Sequence, residues 1–395
     1  MMIHVLIIIH YSEFKLIFVH SFFTLWPLVI FGIISLEIFL RIFNNRVIRL
    51  SNSEKELLSK KYKNLGNSNS DSNMTDEDSE KLGVEYGEHV QHCMVHYGTW
   101  SNAIKSEESM HMPDYQGEFL NVVSGMRVTT DNPTVSKKRI IIFGGSTVFC
   151  GEVPDNLTSC SLLQAAINDS KISANVVNYG RHGSTFQNRL LYLERNKLSR
   201  NDLILFWFGV NEVGWKLMEG KTNAPFFMHL LKRVSEGLKF FSKFLALISL
   251  LSQLFESFVL KPLSRFLAYL ELKRSLEKLK NLSRLRGFEY RVFLQPNLLT
   301  KTIRTRREDL ILEYFLSSPR GRTTKNFLDA NYPKFRTLID RYMGVDASGI
   351  FLSANQEVFV DWCHLNSAGN QVVAQFIFEK LREFNLFEHR QNRPL

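Results

Sequence analysis

From Arg139 onward the sequence predicts an α/β fold: a three-layer α/β/α sandwich around a parallel sheet. Three observations carry that prediction. Apolar runs alternate with segments of helical character. The run Leu203-Ile-Leu-Phe-Trp-Phe208 is apolar without alternation, as a strand covered on both faces requires. The residues with chemical character each follow such a run closely, where the carboxyl ends of parallel strands gather a site.

Taken from the N-terminus, the first element is a short apolar leader, Met1–His10, followed by a near-continuous apolar stretch from Leu16 to Leu40. That length spans a bilayer as one helix, with a kink at Pro27. A cleaved signal peptide is the competing reading. The apolar part is long for one, and no small-residue cleavage site follows, so a retained anchor within residues 1–50 is favoured. Residues 51–83 are rich in Ser, Asn, Asp and Glu and read as a flexible tether. The stretch from Val84 to Lys138 reads as a lead-in packed on the main domain, which runs to residue 395. In that domain the strand candidates are Ile140–Phe143, Asn175–Asn178, Leu203–Phe208, Tyr290–Leu294 and Gly349–Leu352. The helix candidates are Ser159–Ile167, Gln187–Asn196, Lys325–Tyr342 and Ser367–Phe384.

A helical insertion, about residues 226–286, interrupts the alternation. It carries twelve Lys or Arg against four Glu, and so holds +8 of the chain's net charge of +10. It reads either as a helical hairpin covering the domain or as an interfacial helix lying on an anionic membrane surface. Apolar residues interleave with the charge and no nucleic-acid-binding motif is present, so a nucleic-acid partner is not predicted.

The 395 residues are 45% hydrophobic with 32 Phe, enough for a large core. Four cysteines, Cys93, Cys150, Cys160 and Cys363, are too few and scattered for a disulfide framework or a zinc site. With no CxxC, HExxH or Walker loop, neither metal nor cofactor is predicted.

The chemistry resides in four blocks. After Ile140–Phe143, Gly144 and Gly145 permit a sharp turn that delivers the Ser146 hydroxyl. A serine needs a base within hydrogen-bond reach. Asp361-Trp-Cys-His364 supplies one, because Asp361 can fold back through one turn onto the imidazole Nδ1 and fix its tautomer. A tetrahedral oxyanion needs fixed donors; the Ser146 N–H, the Gly183 N–H in Asn178-Tyr-Gly-Arg-His-Gly183 and the Asn211 amide in Gly209-Val-Asn211-Glu212 are candidates. Taken singly, each block has an ordinary reading: a tight turn, an N-cap beside a surface histidine, loop glycines, a turn asparagine. All four in this order describe acyl transfer by a serine enzyme.

On these blocks the sequence resembles the SGNH, or GDSL-type, hydrolase superfamily over about Arg127 to Phe384. The resemblance is to membrane-anchored bacterial-type members with a Gly-Gly-Ser-Thr first block. It implies a flavodoxin-like sheet and metal-free cleavage or transfer of an ester-linked acyl group. Ser146 would be the nucleophile, His364 the base, Asp361 its acid, and Gly183 and Asn211 the oxyanion donors. The family's third block usually ends Asn-Asp, where this chain has Glu212. One more methylene keeps the charge and leaves the geometry beside Asn211 open. Cys363 reads as packing.

The implied function is a membrane-anchored serine esterase acting on O-acyl groups of a glycan or lipid. The alternatives are an acyltransferase using the same site and a catalytically degenerate scaffold that binds glycan or lipid. Charges after the anchor, Arg41 to Lys63, place the domain in the cytoplasm by the positive-inside rule; the family resemblance favours the extracytoplasmic side.

Overall fold

The structure, a computed structural model, describes residues 76–97, 112–136, 138–196, 201–212 and 261–387. The apolar run Leu16–Leu40 lies outside them, as do residues 213–260, which include most of the basic insertion. Among the described residues no helix is long and apolar enough to cross a membrane.

One mixed sheet organises the chain. Its strands are β1 (Tyr115–Gln116), β2 (Asn121–Val123), β3 (Met126–Arg127), β4 (Lys138–Gly144), β5 (Ala174–Gly180), β6 (Leu203–Phe208), β7 (Glu289–Leu294) and β8 (Gly344–Asp346). They pair in the order β1-β2-β3-β5-β4-β6-β7-β8. The last five are parallel, with Ile142 opposite Asn178 on one side and Leu205 on the other. Their spatial order, second-first-third-fourth-fifth, is the flavodoxin-like one, and it reverses direction between β4 and β6. β1 to β3 extend the β5 edge antiparallel, so the sheet is mixed rather than wholly parallel. Strands of two or three residues are too short to show a period of two, which hides them in the sequence.

The expected third layer is present because every central strand is apolar on both faces. On β4, Ile140 and Ile142 face a core shared with the helices α3 (Ser159–Asp169) and α8 (Ser367–Glu383), while Ile141 and Phe143 face the opposite core. That second core takes Leu190 of α4 (Phe186–Arg195), Leu272 of α5 (Lys261–Arg286) and Phe335 of α7 (Pro319–Ile339). β6 divides likewise, Leu205 and Trp207 to one side and Phe206 and Phe208 to the other. Each such side chain contributes roughly 1.5–3 kcal/mol on burial.

Two sequence expectations need correction, one open reading is resolved in part, and one element is new. The strand expected at Gly349–Leu352 is a turn, and β8 lies earlier at Gly344–Asp346. Phe351 is apolar because it plugs the core from that turn. The segment expected as tether through residue 83 already contains a helix, α1 (Asp76–Tyr97). Leu82, Tyr86, His89 and Cys93 are buried along one stripe of it at helical spacing. The Glu85 carboxylate then accepts from the N–H groups of Glu118, Phe119 and Leu120 at 2.7, 3.0 and 3.0 Å, fastening α1 to the turn between β1 and β2. The end of the basic insertion is α5, whose Ala268, Leu272 and Leu276 are core residues; this part covers the domain. Finally, α6 (Arg306–Ser317) was missed. Its signal is the capping box Thr305-x-x-Glu308, in which each side chain accepts from the other residue's backbone N–H.

Candidate active site

β4 ends at Gly144, and Ser146 opens the single turn α2 (Ser146–Phe149). Gly145 has to lack a side chain. A Cβ there would lie 2.2 Å from Asn211 Nδ2 and 3.4 Å from the Ser184 carbonyl. The chain segments bearing Ser146, Ser184 and Asn211 therefore converge on one point.

His364 arrives from the other end of the sequence. Its Nε2 lies 2.7 Å from Ser146 Oγ, and its Nδ1 lies 2.8 Å from Asp361 Oδ2. The other Asp361 oxygen, Oδ1, accepts from the backbone N–H groups of Cys363 and His364, both at 2.8 Å. One carboxylate thus ties its own loop and orients the ring. The hydroxyl, imidazole and carboxylate form a continuous hydrogen-bonded line.

The loop closes on itself and is also held from outside. Val360 N–H donates to the His364 carbonyl at 3.0 Å and Asn366 N–H to Val358 at 3.1 Å. Glu308 of α6 accepts from the Val358 and Phe359 N–H groups at 3.0 and 3.3 Å. Its second oxygen pairs with Lys301 at 2.6 Å, with both side chains fully buried. Trp362 stacks on Phe315 at 4.8 Å between ring centroids. Sequence reasoning did not single out Glu308 or Lys301 for the site.

Gly183 lies in the loop after β5, at φ +64, a left-handed conformation that suits glycine. The loop is bound to α2 and β4. Arg181 N–H donates to Gly144 O at 3.1 Å, Asn178 Nδ2 donates to Val148 O at 2.8 Å, and a Cβ on Gly180 would lie 2.1 Å from Phe149 N. Asn211 Nδ2 donates to Ser184 O at 2.9 Å, which occupies one of its two amide hydrogens.

Glu212 takes up its extra methylene by bridging. One oxygen accepts from Phe186 N–H at 2.6 Å, at the start of α4, and the other from Gly209 N–H at 2.7 Å, at the end of β6. Burial pushes its carboxyl up, while those N–H groups pull it back. It fixes the two loops that bear Asn211 and Ser184 relative to each other.

α1 supplies a floor that the sequence did not reveal. The Tyr86 hydroxyl lies 3.3 Å from His182 Nδ1, and His89 stacks on Phe149 of α2 at 5.1 Å. Burial, with neighbouring cationic groups adding to it, holds His182 well below the usual 6.5, so it is neutral.

Burial alone would lower the His364 imidazole as well. Asp361, with Cys363, Glu152 and the Asp361 hydrogen bond, outweighs it, and the ring titrates well above 6.5. The stability gained from that interaction is present in full below pH 6.5 and is lost as pH rises through the raised value. Cys363, buried with Sγ 3.7 Å from Nδ1, is pushed up to about 11 mainly by burial and stays a thiol at neutral pH. Donor atoms of Asp361, Cys363 and His364 lie within 4.8 Å of one another. With the sulfur protonated and Nδ1 bonded to Asp361, the set is arranged to carry a proton.

Solved structures similar to this chain include a lipolytic G-D-S-L family member from Veillonella parvula, 14% identical (61% of this chain, 97% of that one, TM-score 0.36). Another is an α/β hydrolase, LAE5, from the metagenome of Lake Arreo, 13% identical (64% and 98%, TM-score 0.38). A third is the acetylxylan esterase Axe2 of Geobacillus stearothermophilus, 13% identical (66% and 98%, TM-score 0.36). These likenesses are too distant to speak for function. No curated protein matches the sequence. The family model for the GDSL-like Lipase/Acylhydrolase matches residues 140–377, the span that holds all four blocks and most of the sheet. The chain belongs to the GDSL-like lipase/acylhydrolase family and is an ester-bond hydrolase of that family.

Proposed function

We propose that the chain is a membrane-anchored serine esterase that removes O-acyl groups from a glycan or a lipid. One observation carries the reading: the unbroken line from Ser146 Oγ to His364 Nε2 at 2.7 Å and from His364 Nδ1 to Asp361 Oδ2 at 2.8 Å. His364 takes the hydroxyl proton as Ser146 attacks the ester carbonyl, and Asp361 steadies the imidazolium. The oxyanion is held by the N–H groups of Ser146 and Gly183 and by the second Asn211 amide hydrogen. His364 returns the proton to the leaving alcohol. It then takes one from water, whose oxygen attacks the acyl-enzyme, and gives that proton to Ser146 Oγ as the acid is released. A sugar hydroxyl in place of that water makes the same site an acyltransferase.

The scaffold reading drew its support from Glu212. That residue bridges two site loops through its carboxylate, which supports the enzymatic reading over the scaffold. The apolar run Leu16–Leu40 supports the anchor.

The test uses the full chain in detergent with p-nitrophenyl esters from acetyl to palmitoyl. Ser146→Ala is expected to lower kcat by at least about 10³-fold. A short-chain optimum favours glycan deacylation, and a long-chain optimum favours lipid. Wild-type turnover in the mutant would overturn the reading.

A further inference from the structure

We propose that Glu152 is a second carboxylate for the base, a positioning residue that sets the pH at which His364 becomes competent to take the Ser146 proton. The inference rests on the serine esterase reading and deepens it. Glu152 Oε1 lies 3.8 Å from His364 Nδ1, with only 6% of the Glu152 side chain and 16% of the His364 side chain exposed. At that distance it is beyond hydrogen-bond range and within the range where an opposite charge favours an imidazolium. Asp361 holds the closer place at 2.8 Å.

The carboxylate is there because the chain is forced back over the site. α2 ends at Cys150, a non-glycine residue at φ 54, whose N–H closes on the Ser146 carbonyl at 2.8 Å. Gly151 follows where a Cβ would lie 2.3 Å from the Tyr86 ring, so α1 presses on the chain from behind. Beyond it the segment is tied down. Val153 O accepts from Arg127 at 3.0 Å, Asp155 pairs with Arg127 at 2.5 Å, and Asp155 N–H donates to Phe119 O at 2.9 Å. Glu152 is therefore held between two fixed points, with its backbone only six residues from the nucleophile.

The titratable groups facing His364 come from three segments. Asp361 and Cys363 are on its own loop, and Cys363 is a neutral thiol. Glu152 is on the loop after α2. His182, on the loop after β5, is neutral. Buried Arg181, beside His182, and Arg127 of β3 lie among the same groups. Asp361 and Glu152 are the carboxylates that favour the imidazolium, and Asp361 is the one that also collects the N–H groups of the His364 loop. Removing the Glu152 charge should make the imidazole easier to deprotonate while leaving the Asp361 geometry alone.

The experiment is the pH profile of kcat/KM for the full chain in detergent, comparing wild type, Glu152→Gln and Glu152→Asp, with thermal melts beside them. Glu152→Gln is expected to move the ascending limb toward acid by about one pH unit while the high-pH plateau stays within about tenfold of wild type. Glu152→Asp keeps the charge and should keep the limb near its wild-type position. An unmoved limb in Glu152→Gln, or equal movement in both variants, overturns the proposal. If Gln unfolds the protein, Glu152→Ala takes its place: a limb moved toward acid upholds the proposal and an unmoved limb overturns it. Ser146→Ala in the same assay separates the two levels: full activity there sinks the esterase reading itself.

Discussion

Two loops reach Ser146, and they are held by opposite strategies. The Asp361–His364 loop is largely built from itself, with one carboxylate collecting two N–H groups and the ring within three residues. From outside, Glu308 clamps it through the adjoining Val358 and Phe359, Leu298 N–H donates to the Trp362 carbonyl at 2.9 Å, and Phe315 stacks on Trp362. The loop bearing Gly183 has one backbone bond of its own, Ser184 N–H to the Arg181 carbonyl at 3.2 Å, and leans more on distant partners. It is held by Tyr86, 96 residues away, by β4 and α2, and by Asn211 and Glu212. A proton relay needs one fixed line of atoms, which a short loop can supply. An oxyanion site needs donors converging from several directions, so it is assembled by packing. The difference predicts that the first loop fails mainly through stability and the second through turnover.

The largest effect expected on that basis is at Glu308. Glu308→Gln removes the carboxylate paired with Lys301 at a fully buried position, a loss of about 3–5 kcal/mol. Chemical denaturation would read it, and below the unfolding transition the surviving folded fraction should keep its kcat. A folded variant with kcat lowered a hundredfold would mean that this loop too is tuned by distant packing.

Next comes Asn211→Ala, expected to lower kcat about 10²- to 10³-fold with little change in KM, since an oxyanion donor acts on the transition state. Its melting temperature should stay close to wild type, because Asn211 is linked through one hydrogen bond to Ser184. A pure KM effect would remove Asn211 from the oxyanion site. The smallest effect expected is from Tyr86→Phe, which keeps the ring over Gly151 and removes the bond to His182. About 1 kcal/mol is at stake, a few-fold in kcat. If it matched Asn211→Ala, α1 would control the oxyanion loop rather than merely floor it.

The sequence was most legible where structure is periodic or local. β6 shows both covered faces in six consecutive apolar residues, and α3, α4 and α8 follow helical spacing. Asp361 and His364 are three apart, one turn, and their contact is as local as that spacing implies. α1 was hidden because its buried stripe of Leu82, Tyr86, His89 and Cys93 is half polar and lies in a polar segment. β8 was misplaced because Val345 is its only apolar residue, while Ile350 and Phe351 are apolar in a turn.

What the sequence determined by itself was the layered α/β architecture, the order of the four blocks and the kind of chemistry they could support. Periodicity, one-turn spacing and glycine pairs are properties of neighbouring residues, so they survive without a fold. Only the tertiary structure decided that Glu212 bridges β6 to α4, that Glu308 clamps the base loop, that Tyr86 reaches His182 and that Glu152 lies beside the His364 imidazole. Each of those contacts joins residues far apart in the chain. No period marks them, because they follow from how the sheet order reverses between β4 and β6 and from which side chains the packed layers leave facing that crevice.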